Sequence, residues 1–263
     1  MSKIAEVFKN HKAFIPFIAA NDPDFQGTVN NVVALAKGGA DLVEIGIPFS
    51  DPVADGPVIQ AADIRALKAD PDLPMDTIFD MVAEIRKQTA IPLAFLTYLN
   101  IVFQYGYEAF TKRCTELGID GLVIPDMPYE ERGELAPIAA KHDVDLIPLV
   151  TPVSGDRIEK IAKAATGFIY VVSSLGVTGE RSEFANDLSD LVARIRKVTD
   201  VPTAIGFGIH TAEQAAEMAQ IADGAIVGSA CVNIVAEYGE QAPTKLQDYT
   251  KQMKAAVVGN PVR

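Results

Sequence analysis

Two carboxylates near the start of the chain have the residue types and spacing of an acid/base pair. Glu44 interrupts an apolar run at residues 42–47, and Asp55 follows in a loop that contains several prolines. A buried carboxyl is costly unless it has partners or a function, and two carboxyls in unlike environments can donate and accept protons. The structural alternative is a capped core Glu44 and an Asp55 that forms a turn before Gly56.

Glycines in the last third of the chain predict a phosphate site. Residues 206–209 read Gly-Phe-Gly-Ile after one apolar run, and Gly228-Ser229 end the next. Glycines let backbone N–H groups approach an anion, and a helix N-terminus favours negative charge. We therefore expect Gly206, Gly208, Gly228 and Ser229 to hold phosphate, although two tight turns would also explain the pattern.

A long connection at residues 173–187 predicts a functional lid. Loops of this length in compact domains often cover active sites. Gly176 and Gly179 give it hinge freedom, and the N–H of Gly179 could reach the phosphate. A disordered connection is the alternative.

Apolar runs that predict strands alternate with helical faces, and this order would bring the three features together. The predicted strands lie at residues 14–20, 42–47, 93–99, 121–124, 146–150, 168–172, 202–206 and 225–228. An N-terminal helix precedes them, short extra helices include residues 58–69, and a closing helix spans residues 244–258. Such alternation predicts parallel strands with right-handed crossovers.

We predict an α/β fold, a (β/α)8 TIM barrel that occupies residues 1–263 as a single domain. Similar segments recur at residues 39–43, 118–122 and 221–225, and such repeated units favour a closed barrel over the alternative, a doubly wound open sheet. The active site of such a barrel lies at the C-terminal ends of its strands.

Composition excludes several classes of function. The chain has 263 residues, 49% of them hydrophobic, and a net charge of −12, so neither nucleic acid nor an anionic membrane is an expected partner. The N-terminus has no apolar signal region and no apolar stretch is long enough to span a bilayer. Cys114 and Cys231 stand apart and are expected as reduced thiols in the cytoplasm, although one disulfide remains possible.

The positions of histidine, lysine and serine argue against several catalytic mechanisms. The three histidines, His11, His142 and His210, show no metal-ligand pattern, so we expect no metal. No lysine lies on a predicted strand, which argues against a Schiff base, and no serine nucleophile elbow is present. Proton transfer by carboxylates on a phosphorylated substrate remains.

These motifs resemble the tryptophan synthase alpha chain family. The resemblance extends over residues 14–238 and includes LVEIGIPFSDPVADGP at residues 42–57, PDMPYEE at 125–131, GVTG at 176–179, GFGI at 206–209 and Gly228-Ser229. It implies a lyase that splits indole-3-glycerol phosphate into indole and glyceraldehyde 3-phosphate by a retro-aldol reaction. Asn21 and Leu175 depart from the expected Gly and small polar residue, which puts local loop geometry and lid dynamics in question.

The resemblance also implies roles for individual residues. Glu44 matches the general acid/base, and Asp55 matches the carboxylate that binds and stabilises the indole N–H. Tyr170 matches a tyrosine near the glycerol hydroxyls, and Thr178 a lid residue that meets Asp55. The expected substrate-binding residues are Phe17, Tyr98, Tyr170, Thr178, Gly179, Gly206, Phe207, Gly208, Gly228 and Ser229, of which Phe17, Tyr98 and Phe207 would wall the indole.

The family pairs with a beta chain that receives indole through a tunnel. The resemblance implies an α2β2 tetramer, with no cofactor in this chain and pyridoxal phosphate (PLP) on the beta chain. Asp51, Pro52 and Asn100 fall on the face that would meet the beta chain. Two other hypotheses share the motifs: a free-standing indole-releasing lyase, and a catalytically silent regulatory subunit that binds the phosphate ligand.

Overall fold

The computed structural model describes residues 3–172, 181–206 and 208–259, without the side chains of residues 181–186. Leu175, Thr178, Gly179 and Phe207 therefore lie outside the described residues, and their predicted roles stay predictions.

The described strands form one nine-stranded sheet in which neighbouring strands pair in parallel. The strands are β1 (Ala13–Ala19), β2 (Val43–Gly46), β3 (Leu93–Leu96), β4 (Gly121–Val123), β5 (Asp145–Ile147), β6 (Leu149–Val150), β7 (Ile169–Val172), β8 (Thr203–Gly206) and β9 (Gly224–Val227). Their order is β5-β4-β3-β2-β1-β9-β8-β7-β6. Because β5 and β6 are joined through Pro148 in one predicted strand, the ends of the sheet meet. The predicted TIM barrel is confirmed.

Helices follow the strands and cover the outside of the barrel. They are α1 (Lys3–Glu6), α2 (Phe25–Gly38), α3 (Pro57–Ala69), α4 (Met75–Arg86), α5 (Leu99–Tyr105), α6 (Tyr107–Leu117), α7 (Ala136–Lys141), α8 (Arg157–Lys163), α9 (Arg181–Arg196), α10 (Ala212–Ile221), α11 (Ser229–Tyr238) and α12 (Ala242–Val258). No described helix is long and apolar enough to cross a membrane.

The strands are apolar because both of their faces are covered. Every residue of β1, β2, β8 and β9 is buried, as expected for parallel strands between helices and a barrel core. Ile4 of α1 and Phe8 belong to the same apolar cluster as Phe168 and Ile226 inside the barrel. The predicted N-terminal helix thus closes the bottom of the core. Cys114 and Cys231 are free and buried.

Two predicted boundaries were wrong. The predicted strand at residues 93–99 ends at Leu96, and Leu99 begins the unpredicted helix α5, whose first N–H is bound by the Asp126 carboxylate at 2.9 Å. The predicted loop at residues 173–187 is shorter, because α9 already begins at Arg181. The first half of α9 is mostly polar in sequence, and the apolar spacing that predicts a helix is formed by Leu191, Ile195 and Val198.

The three similar sequence segments each contain an aspartate that joins neighbouring strands at the N-terminal end of the barrel. The backbone N–H groups of Asp41, Asp120 and Asp223 donate to the carbonyls of Phe14, Leu93 and Thr203. The N–H groups of those partners donate back to the aspartate carboxylates at 2.7, 3.2 and 2.9 Å. Each carboxylate also forms a salt bridge, with Lys254, Lys3 and Arg196 respectively. We call these three residues the basal aspartates.

Candidate active site

Glu44 lies in β2 with its side chain in the barrel interior. It has no exposed surface, and neither carboxyl oxygen has a hydrogen-bond partner among the described residues. Burial raises its pKa to about 8, because removal from water disfavours the charged form. A structural glutamate in a core would be hydrogen-bonded, so this environment favours the acid/base interpretation.

Asp55 is held by Tyr98, which lies at the end of β3. The Tyr98 hydroxyl donates to Asp55 Oδ2 at 2.6 Å and accepts the N–H of Ala54 at 3.1 Å. The Tyr98 ring stacks on Phe49 with centroids 4.8 Å apart. Burial raises the pKa of Asp55, and the hydrogen bond from Tyr98 partly opposes that rise. The loop therefore presents a carboxylate whose position is fixed.

A cavity of about 160 Å³ at the C-terminal ends of the strands joins the two carboxylates to the predicted phosphate residues. We call it the polar cavity. It is lined by Phe17, Glu44, Ala54, Asp55, Gly56, Ile59, Leu96, Tyr170, Gly208, Ile209, His210, Gly228 and Ser229. Seven of the nine described residues predicted for chemistry or substrate binding are brought together here. Tyr98 and Gly206 do not line this cavity. Gly206 packs closely against the ring of Tyr170, which does line it.

Two glycines make room for the aromatic side chains of the polar cavity. A Cβ atom on Gly206 would lie 2.5 Å from the Tyr170 hydroxyl, and one on Gly46 would lie 2.4 Å from the Phe17 ring. Burial raises the pKa of Tyr170, and the nearby Glu44 and Asp55 add to this rise. Tyr170 is therefore a neutral hydrogen-bond donor beside both carboxyls.

A second cavity of about 400 Å³ continues from the polar cavity, with which it shares Ala54, Asp55, Leu96 and Tyr170. We call it the apolar cavity. Most of its further lining is apolar, including Ile124, Pro125, Met127, Ile147, Pro148 and Leu149, and the side chains of Arg132 and Arg157 also line it. Such a space accepts a flat hydrophobic group beside the acid/base pair. Sequence reasoning missed it, because its walls come from several loops whose apolar residues resemble core residues.

The N-terminus of α11 is open to an anion, whereas the N-terminus of α10 is not. In α10, the Thr211 and Gln214 side chains form a capping box. In α11, Gly228 precedes the helix and no side chain caps it. Uncapped N–H groups at a helix start are a common phosphate site. Gly228 and Ser229 line the polar cavity at this helix start, as the sequence predicted.

The residues predicted to face a partner lie at the surface, Asp51 and Pro52 in the loop after β2 and Asn100 in α5. Asp51 and Asn100 are exposed and Pro52 is partly exposed. Two large apolar side chains next to them are also exposed, Val53 at 78% and Phe103 at 65%. The apolar pair was not singled out from the sequence, because a solvent-facing position in a loop or short helix has no periodic signal.

Comparison with known proteins identifies the family. The family model described as "Tryptophan synthase alpha chain" matches residues 4–258. The chain belongs to this family. The tryptophan synthase alpha chain of Lacticaseibacillus casei is 66% identical to it over 98% of this chain and 96% of that one. That of Lactiplantibacillus plantarum is 56% identical over 98% and 97%.

Solved structures of tryptophan synthase alpha chains also match. Tryptophan synthase subunit alpha from Legionella pneumophila superimposes with a TM-score of 0.88 at 34% identity, over 99% of this chain and 100% of that one. A chain of Mycobacterium tuberculosis tryptophan synthase gives a TM-score of 0.88 at 34% identity, over 98% of both chains. The predicted family membership is thereby confirmed.

Proposed function

We propose that this chain is the alpha subunit of a tryptophan synthase and cleaves indole-3-glycerol phosphate to indole and glyceraldehyde 3-phosphate. The observation that supports this most strongly is Glu44, a fully buried carboxyl without a hydrogen-bond partner among the described residues. It lines one cavity with Asp55 and with the open start of α11. Family membership supplies the reaction class.

The two cavities divide the substrate between them. The apolar cavity takes the indole ring, with Phe17 as a further wall. The glycerol hydroxyls lie near Tyr170, and the phosphate lies against Gly208, Gly228 and Ser229. Within the predicted lid, Thr178 would meet Asp55 and Gly179 would add an N–H to the phosphate.

The reaction uses Glu44 in both protonation states. Its pKa of about 8 keeps a proton available at neutral pH, and this proton goes to C3 of the indole ring. Asp55 accepts a hydrogen bond from the indole N–H and stabilises the positive charge that develops on the ring. The ionised Glu44 then takes the proton of the C3′ hydroxyl, the bond between C3 and C3′ breaks, and its electron pair returns to the ring.

Tyr98 acts in this proposal by holding Asp55. Its hydroxyl is already engaged with Asp55 and the Ala54 N–H, and it lines neither cavity. The predicted indole wall on this side is instead formed by Leu96 and the apolar cavity. No cofactor is needed for these proton transfers.

We further propose that the face around Asp51, Pro52 and Asn100 binds a beta chain in an α2β2 tetramer, with PLP on the beta chain. The exposed Val53 and Phe103 support this proposal, because large apolar side chains on a surface favour a protein partner. The apolar cavity lies next to this face through Ala54, so indole would leave toward the partner.

The test measures indole release from indole-3-glycerol phosphate by the wild-type chain, alone and with a tryptophan synthase beta chain. We expect slow release alone and a large increase with the beta chain. Glu44→Gln should abolish release and retain binding of glycerol 3-phosphate, whereas the surface variant Glu84→Gln should behave like wild type. Fast release alone would indicate a free-standing lyase. Ligand binding without release by the wild type would indicate a regulatory subunit.

A further inference from the structure

His210 lies between β8 and α10, and it lines the polar cavity together with Gly208, Gly228 and Ser229. Among the described residues of that lining, it is the one side chain that can become a cation. The start of α10 is capped by the Thr211 and Gln214 side chains, so the imidazole is not needed as a helix cap and is available for another role.

One hydrogen bond orients the exposed imidazole ring of His210, and two others hold its backbone. Its Nδ1 lies 3.0 Å from the carbonyl of Gly208, its backbone N–H donates to Gln214 Oε1 at 2.9 Å, and its carbonyl accepts from the Tyr249 hydroxyl at 3.1 Å. A carbonyl only accepts, so Nδ1 carries a hydrogen. Nε2 has no partner among the described residues. It bears a lone pair in the neutral ring and an N–H in the charged ring.

The substrate proposed above brings a phosphate dianion into a cavity that already contains Glu44 and Asp55. The whole chain has a net charge of −12. Backbone N–H groups supply only partial charges, whereas a charged imidazole supplies a full one and a strong hydrogen bond. A lone pair on Nε2 would repel the same phosphate.

We propose that His210 is a ligand of the substrate phosphate and binds it as the imidazolium, with Nε2–H as donor and with Nδ1–H anchored on Gly208. This inference rests on the proposed phosphate site and adds a residue to it. Affinity for a dianion is then higher when the imidazole is charged than when it is neutral.

Other groups near His210 must be separated from its own effect. Glu44 and Asp55 line the same cavity, and Glu44 ionises at about pH 8, so it too would weaken anion binding in alkaline solution. Tyr170 and Tyr249 stay neutral, because burial raises the pKa of both hydroxyls. Substitutions of His210 in the presence of Glu44 isolate the contribution of the imidazole.

The test measures the dissociation constant of sulfate, which stays a dianion between pH 6 and 8.5, by titration calorimetry of the full-length chain. His210→Gln removes the charge, and His210→Lys makes it permanent. His142→Gln is the matched control, since His142 pairs with Glu108 at the surface, away from the polar cavity.

We expect His210→Gln to weaken sulfate binding about tenfold or more at pH 6, the range for loss of a charged hydrogen bond. Its affinity should match wild type at pH 8.5. His210→Lys should bind more tightly than wild type at pH 8.5, and His142→Gln should follow wild type throughout. With indole-3-glycerol phosphate at pH 6.5, His210→Gln should raise KM by a similar factor and leave kcat within about twofold.

Equal sulfate affinity of wild type and His210→Gln at pH 6 would overturn the role of His210 while leaving the phosphate site in place. Loss of kcat at unchanged KM would overturn it as well. Absence of sulfate and glycerol 3-phosphate binding in the wild type, together with absence of indole release, would overturn the phosphate site and the proposed function with it.

Discussion

The pKa of Glu44 is raised because the carboxyl is buried and its described neighbours offer no hydrogen bond. Phe17 pairs with Glu44 in register on the adjacent strand and Ala94 pairs with it on the other side, and neither side chain offers a hydrogen bond. The carboxyl is therefore desolvated without compensation. Desolvation of this kind makes a carboxylic acid a proton donor at neutral pH.

This environment predicts a pH-dependent cost to stability. Burial raises the pKa of Glu44 from 4.5 to about 8, so the folded state holds the proton more tightly than the unfolded state. The free energy of unfolding therefore falls as the pH rises from about 4.5 to 8 and levels off above. We expect Glu44→Gln to be more stable than wild type at pH 7.5 by about 4 kcal/mol.

Urea denaturation of both chains at pH 5, 6.5 and 8 measures this difference. Asp63 has a similarly raised pKa, but it is present in both chains and cancels to first order. A difference that stays constant with pH would contradict the prediction.

Tyr98 should matter to catalysis through its hydroxyl. Tyr98→Phe releases Asp55 Oδ2 and the Ala54 N–H, so we expect kcat for indole release to fall about tenfold, the range for a hydrogen bond to a charged group. Tyr105→Phe removes a comparable hydrogen bond to Asp76 at the surface. Steady-state kinetics should show a loss for Tyr98→Phe only, and equal rates would exclude the positioning role.

At the residue scale, the sequence predicted Glu44, Asp55 and the phosphate glycines because residue type and position after a strand carry that information. The partnership of Tyr98 with Asp55 joins different loops, and no spacing in the chain encodes it. The orientation of His210 depends on a carbonyl two residues earlier. Such contacts require coordinates.

At the scale of elements, the starts of α10 and α11 differ in whether side chains cap their first N–H groups, and this difference supports the proposed anion site at α11. Both follow a glycine-containing strand end at the same rim of the barrel. Thr211 and Gln214 satisfy the first N–H groups of α10, and no side chain does so for α11. A polar side chain at the first position of a helix can thus remove an anion site as well as create a cap.

The packing of β7 against β8 should tolerate no side chain at Gly206. In Gly206→Ala the added Cβ would lie 2.5 Å from the Tyr170 hydroxyl, so the buried ring must move. We expect about 1–3 kcal/mol of lost stability, the range for overpacking, and slower indole release. Gly133→Ala is the control, because no atom lies within 4 Å of its added Cβ.

Thermal denaturation and indole release of both variants test this. A Gly206→Ala chain with wild-type stability and rate would show that Tyr170 can move freely.

The order of elements was predictable, because apolar runs and helical faces alternate along the whole chain. The boundaries at α5 and at Pro148 were not. Leu99 reads as the last residue of the predicted strand, but its N–H is bound by the Asp126 carboxylate at the start of a helix, a contact between distant residues that no local pattern shows. Pro148 divides one predicted strand into β5 and β6 because it has no N–H to donate.

At the scale of the whole molecule, the basal aspartates tie the barrel together at the end opposite to the chemistry. Asp223 is the most connected. It accepts from the N–H and hydroxyl of Thr203 at 2.9 and 3.0 Å and lies 2.9 Å from Arg196 and 3.6 Å from Lys12. Lys12 is only 1% exposed, so the carboxylate offsets a buried positive charge.

We expect Asp223→Asn to reduce the free energy of unfolding by about 2–4 kcal/mol, because it weakens several charged hydrogen bonds and a buried ion pair. kcat and KM for indole release should stay within about twofold of wild type. The control is Asp248→Asn, which removes an exposed salt bridge to Lys251. Urea denaturation and steady-state kinetics on the same preparations test both parts, and a loss of activity without a loss of stability would contradict them.

The basal aspartates also affect how much sequence variation the barrel can accept. Asp41 and Asp223 each precede a strand whose opposite end opens into the polar cavity, so their contacts do not involve the loops that line that cavity. Variation in those loops, by mutation or by grafting from another barrel, leaves these anchors intact. The fold can then accumulate changes in specificity at one rim while the other rim keeps each new sequence foldable.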